Sequence, residues 1–200
     1  ERLELMLSGQ VSSGGAIPVI KPFDHKPGHE EPPKDEDYRS DDCLWFFNAI
    51  PAYVQEPGDL AFYEKVLPYA DTGQDSVLGH LRRALEFNLE RTGAHGLPCG
   101  LSADWNDCLR LGYHGESLFV AFQVRLGLTI YAQIAAEMGK SAETGWALEQ
   151  RQVMDQCIQA VGWDGGWFIC AIGENCEYYG TNKSSEGQVY LNTQVWSVIS

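Results

Sequence analysis

The 200-residue chain is poor in basic residues: 14 Lys and Arg stand against 28 Asp and Glu, a formal charge of −14. Such a surface repels a phosphate backbone, and no basic stripe interrupts it, so nucleic acid is excluded as a partner. None of the six cysteines (Cys43, Cys99, Cys108, Cys157, Cys170 and Cys176) belongs to a C-x-x-C pair. A zinc or redox motif is therefore not indicated, and the five histidines have no metal spacing, so no metal site is expected. The chain is too large for a disulfide scaffold. Free, mostly buried thiols in a reducing cytoplasm are the simpler reading. No apolar run reaches transmembrane length and no signal peptide opens the chain, so no membrane partner is expected. An initiator Met is missing, and the run from Val195 to Ser200 reads as an unfinished helix. Both features are expected of a fragment of a longer protein.

What is present is enough chain for one domain with a real core, and a high aromatic load of six Trp, nine Tyr and eight Phe. Most of these rings are expected in the core, with a minority free to stack on sugars. Residues 1–40 read as a loop-rich lead-in, because Ser8 to Asp37 carries Gly14-Gly15, Pro18, Pro22, Pro27 and Pro32-Pro33. Thirty structureless residues inside a domain suggest a functional loop. Residues 41–200 read as helical hairpins. Apolar spacing predicts helices over 41–55, 59–67, 75–91, 116–138 and 142–161, and another from Gln188 onward. Asp41 or Asp42 would cap the first and Asp59 the second. Arg82 and Glu86 form an attractive i,i+4 pair. Trp167 to Ile172 is the one strong strand candidate. The fold class is thus all-α, and unequal loops fit either a toroid of hairpins with long loops at one mouth or a plain bundle.

Asp104-Trp105-Asn106-Asp107 is the segment richest in chemistry. Two carboxylates flank an indole and an amide in a loop. An acid can protonate a leaving oxygen, a flat apolar ring can pack on a pyranose, and an amide can bond hydroxyls. The plainer reading is that the two acids only cap the next helix.

Several linked motifs then carry a resemblance. Arg39-Ser40-Asp41-Asp42-Cys43-Leu44-Trp45, Glu56-Pro57-Gly58-Asp59, Gly93-Ala94-His95-Gly96-Leu97-Pro98, Ala103-Asp104-Trp105-Asn106-Asp107-Cys108 and Gly115-Glu116-Ser117 occur in order. Trp163-Asp164-Gly165-Gly166-Trp167-Phe168 and Glu186-Gly187-Gln188-Val189-Tyr190 follow. From about Arg39 onward the chain resembles glycoside hydrolase family 94, the inverting β-glucoside phosphorylases. The resemblance implies part of an (α/α)6 barrel, a homodimer when full length, and no cofactor beyond inorganic phosphate as co-substrate. The implied reaction is reversible phosphorolysis of a β-glucosidic di- or oligosaccharide, of the cellobiose or laminaribiose kind, to α-glucose 1-phosphate.

The resemblance also implies site roles. Asp107 would be the general acid, Trp105 a wall for the reacting sugar, and Arg39 with Asp41 or Asp42 a grip on its hydroxyls. A general acid must be held protonated at neutral pH; burial and a neighbouring carboxylate, here Asp104, are the usual causes. Phosphate needs cations, and Arg125 on the following helix is the candidate within this chain. Gln194 and Asn192 lie where a sugar contact near the mouth is expected. An inverting glycoside hydrolase on the same barrel and a non-catalytic carbohydrate-binding domain are the alternatives.

Overall fold

The computed structural model describes residues 1–17 and 23–200; Pro18 and Pro22 of the expected loop lie outside the described residues. Six α-helices dominate among the described residues: α1 (Arg2–Leu7), α2 (Phe46–Gln55), α3 (Val77–Leu89), α4 (Leu118–Glu137), α5 (Ser141–Cys157) and α6 (Leu191–Ile199). Five short strands accompany them. β1 (Val66–Pro68) and β2 (Gln74–Ser76) make a hairpin, and β3 (Glu116–Ser117), β4 (Ala171–Ile172) and β5 (Tyr178–Tyr179) an antiparallel sheet in that order. The domain is all-α with small loop sheets.

α4 is the axis of the core. Thirteen of its twenty residues are buried, because it is apolar on nearly every face. It reaches the length and hydropathy of a membrane-spanning helix, contrary to the expectation that no such run exists, but 72% of that window is buried inside the molecule. Three residues, Met138 to Lys140, join it to α5, and so short a link returns α5 antiparallel along it. Phe47, Ile50, Leu81 and Leu85 close the core from α2 and α3. His80 is a core histidine: its Nδ1 meets Gln10 Oε1 at 2.7 Å and its Nε2 the Leu67 carbonyl at 3.1 Å. Burial holds its pKa below the ordinary imidazole value.

Helix starts are set by serines more than by the expected acids. Ser76 Oγ accepts from Gly79 N at 3.0 Å to begin α3, and Asp75 supports that cap by accepting from Ser76 N at 2.7 Å. Ser117 Oγ accepts from Val120 N at 3.3 Å to begin α4. Neither Asp41 nor Asp42 caps by its side chain; residues 42–45 form a 3₁₀ turn ahead of α2. The Arg82–Glu86 pair forms at 2.8 Å.

Two other expectations need correction. The helix expected over 59–67 is a 3₁₀ turn, Leu60–Glu64, followed by β1. Asp59 does cap the turn, but β-branched Val66 and Pro68 do not continue it. In the expected strand 167–172 only Ala171 and Ile172 are paired as strand. Ile169 N instead reaches back to the Gly162 carbonyl at 2.8 Å.

All six cysteines are free. Cys43, Cys99 and Cys170 are buried, whereas Cys108 and Cys176 are exposed.

A candidate active site on interlocked loops

Three long connections converge: the segment before α2, the loop 90–117 between α3 and α4, and the loop 158–190 between α5 and α6. Backbone hydrogen bonds fasten them together. Arg39 bridges Leu101 and Ala103, and Ser40 N donates to the Ala103 carbonyl at 3.0 Å. Ser102 Oγ donates to the Tyr38 carbonyl at 2.6 Å. The sheet β3–β4–β5 ties loop 90–117 to loop 158–190. Leu101 takes a left-handed conformation, φ 55°, where the first two segments cross, a strain that a non-glycine residue sustains only when its surroundings enforce it.

Arg39 is the hub. Its Nη2 lies 2.6 Å from Asp107 Oδ1 and donates to the Asp104 carbonyl at 2.7 Å, while its Nε stands 3.8 Å from Asp42 Oδ1. One guanidinium thus joins residues that are 65 positions apart in the chain. The Asp107 side chain is 70% exposed and the Trp105 ring 61%. The burial expected of Asp107 is therefore missing from the free site. Asp107 stands open at the surface beside an open indole face.

Asp104 has a different part from its neighbour. It is buried; its Oδ1 accepts from Asn106 N at 2.7 Å and its Oδ2 from Ser117 Oγ at 2.7 Å. These bonds turn the chain so that Trp105 and Asp107 project outward. Ser117 serves twice, since its oxygen caps α4 and its proton goes to Asp104. Asp104 is thus a brace on the loop.

The two acids after Arg39 also diverge. Asp41 is buried, with Oδ2 accepting from Trp45 Nε1 at 2.9 Å and Oδ1 without a protein partner. Burial pushes its carboxyl up more than the Trp45 bond brings it down, and the Asp104 charge adds to the rise. Asp42 is pushed up to about 6, chiefly by burial and then by the Asp41 charge, with Arg39 opposing. Asp42 is the more open of the two and the one beside Arg39 and Asp107.

Arg125 and Gln194 are not brought to this cluster. Arg125 Nε pairs with Asp155 Oδ1 at 2.5 Å and its Nη1 donates to the Ser200 carbonyl, so it ties α4 to α5 and α6. Both ends of the Gln194 amide are taken by the backbone of Phe168, at 3.1 and 2.6 Å, which pins α6 to loop 158–190. Asn192 Oδ1 accepts from Thr193 N at 2.8 Å. Glu116 and Ser117 were legible in the sequence only as part of the Gly115-Glu116-Ser117 motif, with no role assigned. Buried Glu116 accepts from His95 N, His95 Nδ1 and Leu97 N at 2.9, 2.6 and 3.0 Å and so shapes the 93–97 turn. Gly93 is required there, because a Cβ would come within 2.4 Å of Glu116 Cγ. The available signal was their place just before an apolar helix.

An N,N'-diacetylchitobiose phosphorylase of Vibrio proteolyticus is 34% identical over all of this chain and 27% of its own length. A solabiose phosphorylase of Paenibacillus borealis is 32% identical over 84% of the chain and 22% of its own length. A cellobionic acid phosphorylase of Neurospora crassa is 29% identical over 80% and 21% respectively. The chain therefore spans roughly a quarter of these relatives. The family model for the catalytic domain of the glycosyl hydrolase 94 superfamily matches residues 1–200, and the chain belongs to that family.

Proposed function

We propose that this chain carries the proton donor of an inverting phosphorylase acting on β-linked di- or oligosaccharides. The observation that carries the reading is Asp107, an exposed carboxylate held at 2.6 Å by Arg39 beside the open ring of Trp105. A sugar laid on Trp105 covers Asp107 and supplies the desolvation that the free side chain lacks. Arg39 and Asp42 then face its hydroxyls. Asp107 gives its proton to the glycosidic oxygen as the C1–O bond breaks. Inorganic phosphate attacks C1 from the opposite face, and the product is the α-1-phosphate plus a shortened sugar. Phosphate is already an anion, so no general base is required. The names of the relatives support phosphorolysis. Those relatives act on unlike sugars, so glucose as the transferred unit, with a cellobiose- or laminaribiose-like substrate, is a narrower proposal resting on the motif resemblance.

Asp42 is the one feature that favours an inverting hydrolase, since a carboxyl near pH 6 suits a base for water. Asp42 and Asp107 share one guanidinium, however, and stand side by side rather than on opposite faces of a ring. The three cross-linked loops further support placing the chain in an (α/α)6 barrel with its mouth at these loops. Its phosphate ligands then lie elsewhere in the full-length protein, as a homodimer in the cytoplasm. Replacing Asp107 by Asn in that protein is the test. Phosphorolysis, followed as sugar 1-phosphate release, falls by about 10² to 10⁴ with little change in KM. Near-normal turnover removes the assignment, and sugar release in phosphate-free buffer would favour the hydrolase.

A further inference from the structure

A cavity of about 560 Å³ opens within loop 158–190, bordered by Trp163, Asp164, Tyr178, Thr181, Lys183 and Ser184. Its place follows from strand register. Tyr178 is in register with Ile172 and Glu116, whereas Ser117, which holds Asp104, is in register with Ala171 and Tyr179. The two rows face opposite sides of the sheet. The cavity therefore belongs to the same loop cluster as Asp107 but to the other sheet face. By contrast, the enclosed space at Asp104 is about 10 Å³, too small for a sugar.

We infer that this cavity binds hexose units of a β-linked glycan, separately from the ring held at Asp107; the inference rests on the proposed carbohydrate function. Two rings stand half open at its rim, Trp163 at 49% and Tyr178 at 44% exposure. Trp163 is braced edge-on by Phe168 at 5.0 Å, and Tyr178 lies edge-on to His95 at 6.3 Å, itself fixed by Glu116. Flat apolar faces match the C–H faces of pyranose rings. The hydroxyls of Thr181 and Ser184, the Asp164 carboxylate and the Lys183 ammonium supply acceptors and donors for sugar hydroxyls. A phosphate dianion fits less well, because the one lysine is opposed by the Asp164 carboxylate. The volume is within the range of small-molecule sites.

The full-length protein with Asp107→Asn allows binding to be read without turnover, by calorimetric titration with β-1,4- and β-1,3-linked gluco-oligosaccharides and chito-oligosaccharides, di- to hexasaccharides. Adding Tyr178→Ala or Trp163→Ala lowers affinity for at least one series about tenfold, and Tyr178→Phe restores it. Both rings are half exposed, and a melting curve confirms that each variant is folded. The site is overturned if neither alanine variant changes any affinity, or if the parent binds no member at millimolar sugar. Phosphorolysis by the unmodified protein is scored separately. Turnover with unaltered binding in the variants removes this site and keeps the proposed function. Binding lost in the variants of a protein that never turns over does the reverse.

Discussion

Two carboxylates three residues apart in one motif are separated by their environments. Asp104 is buried and fully engaged, and Asp107 is open. Only the second can reach a substrate, so Asp104 is a positioning residue. Removing the Ser117 hydroxyl leaves Asp104 Oδ2 without its donor and loosens the turn that aims Asp107. Ser117→Ala in the full-length protein is expected to lower kcat about tenfold with KM little changed, and Ser117→Thr to restore it. An equal loss of folded protein, with kcat intact in what remains, would mean that Ser117 only caps α4. Asp42 illustrates the cost of such a cluster. Its carboxyl titrates near 6 when folded, above the ordinary 3.8, so the folded state holds the extra proton between those values. Ionised Asp42 therefore destabilises the fold above about pH 6, and the penalty vanishes below about pH 4. Asp42→Asn should raise stability at pH 8 by about 1–3 kcal/mol and leave it unchanged near pH 3.5, as read from urea unfolding at each pH.

Among the elements, short strands and caps matter more than their length implies. β3, β4 and β5 have two residues each, yet they join loop 90–117 to loop 158–190. Gln194 completes that junction from α6 by bonding the Phe168 N–H and carbonyl together. Gln194→Ala deletes both bonds and should cost about 1–3 kcal/mol, seen as a lower denaturation midpoint. If Gln194 were a sugar contact instead, the variant would lose substrate affinity with its midpoint intact. α6 is further held by Trp196, whose ring meets Trp45 at 5.6 Å and Phe119 at 5.3 Å.

At the scale of the whole molecule, the charge of −14 acts as a diffuse repulsion inside a compact body. Salt screens it over about 10 Å at 0.1 M. Melting temperature should therefore rise by a few degrees from low salt to about 0.2 M NaCl. A fall would mean that the local ion pairs around Arg39 and Arg125 outweigh the general repulsion.

The residues alone determined the helices of the core, and the motif resemblance singled out Asp107 as the candidate acid. A helix declares itself by the 3.6-residue recurrence of its own apolar positions, as α3 did, or by a long apolar run, as α4 did. Asp107, Trp105 and Arg39 stood out because each sits in a contiguous motif. What the chain could not disclose locally was decided by partners distant in sequence. Arg125 meets Asp155 thirty positions away and Gln194 meets Phe168 twenty-six away, and those bonds draw both from the expected sugar and phosphate contacts. The different burial of Asp104 and Asp107 is of the same origin. Three residues apart, with the same functional group, they take opposite parts because Ser117 reaches one and solvent reaches the other.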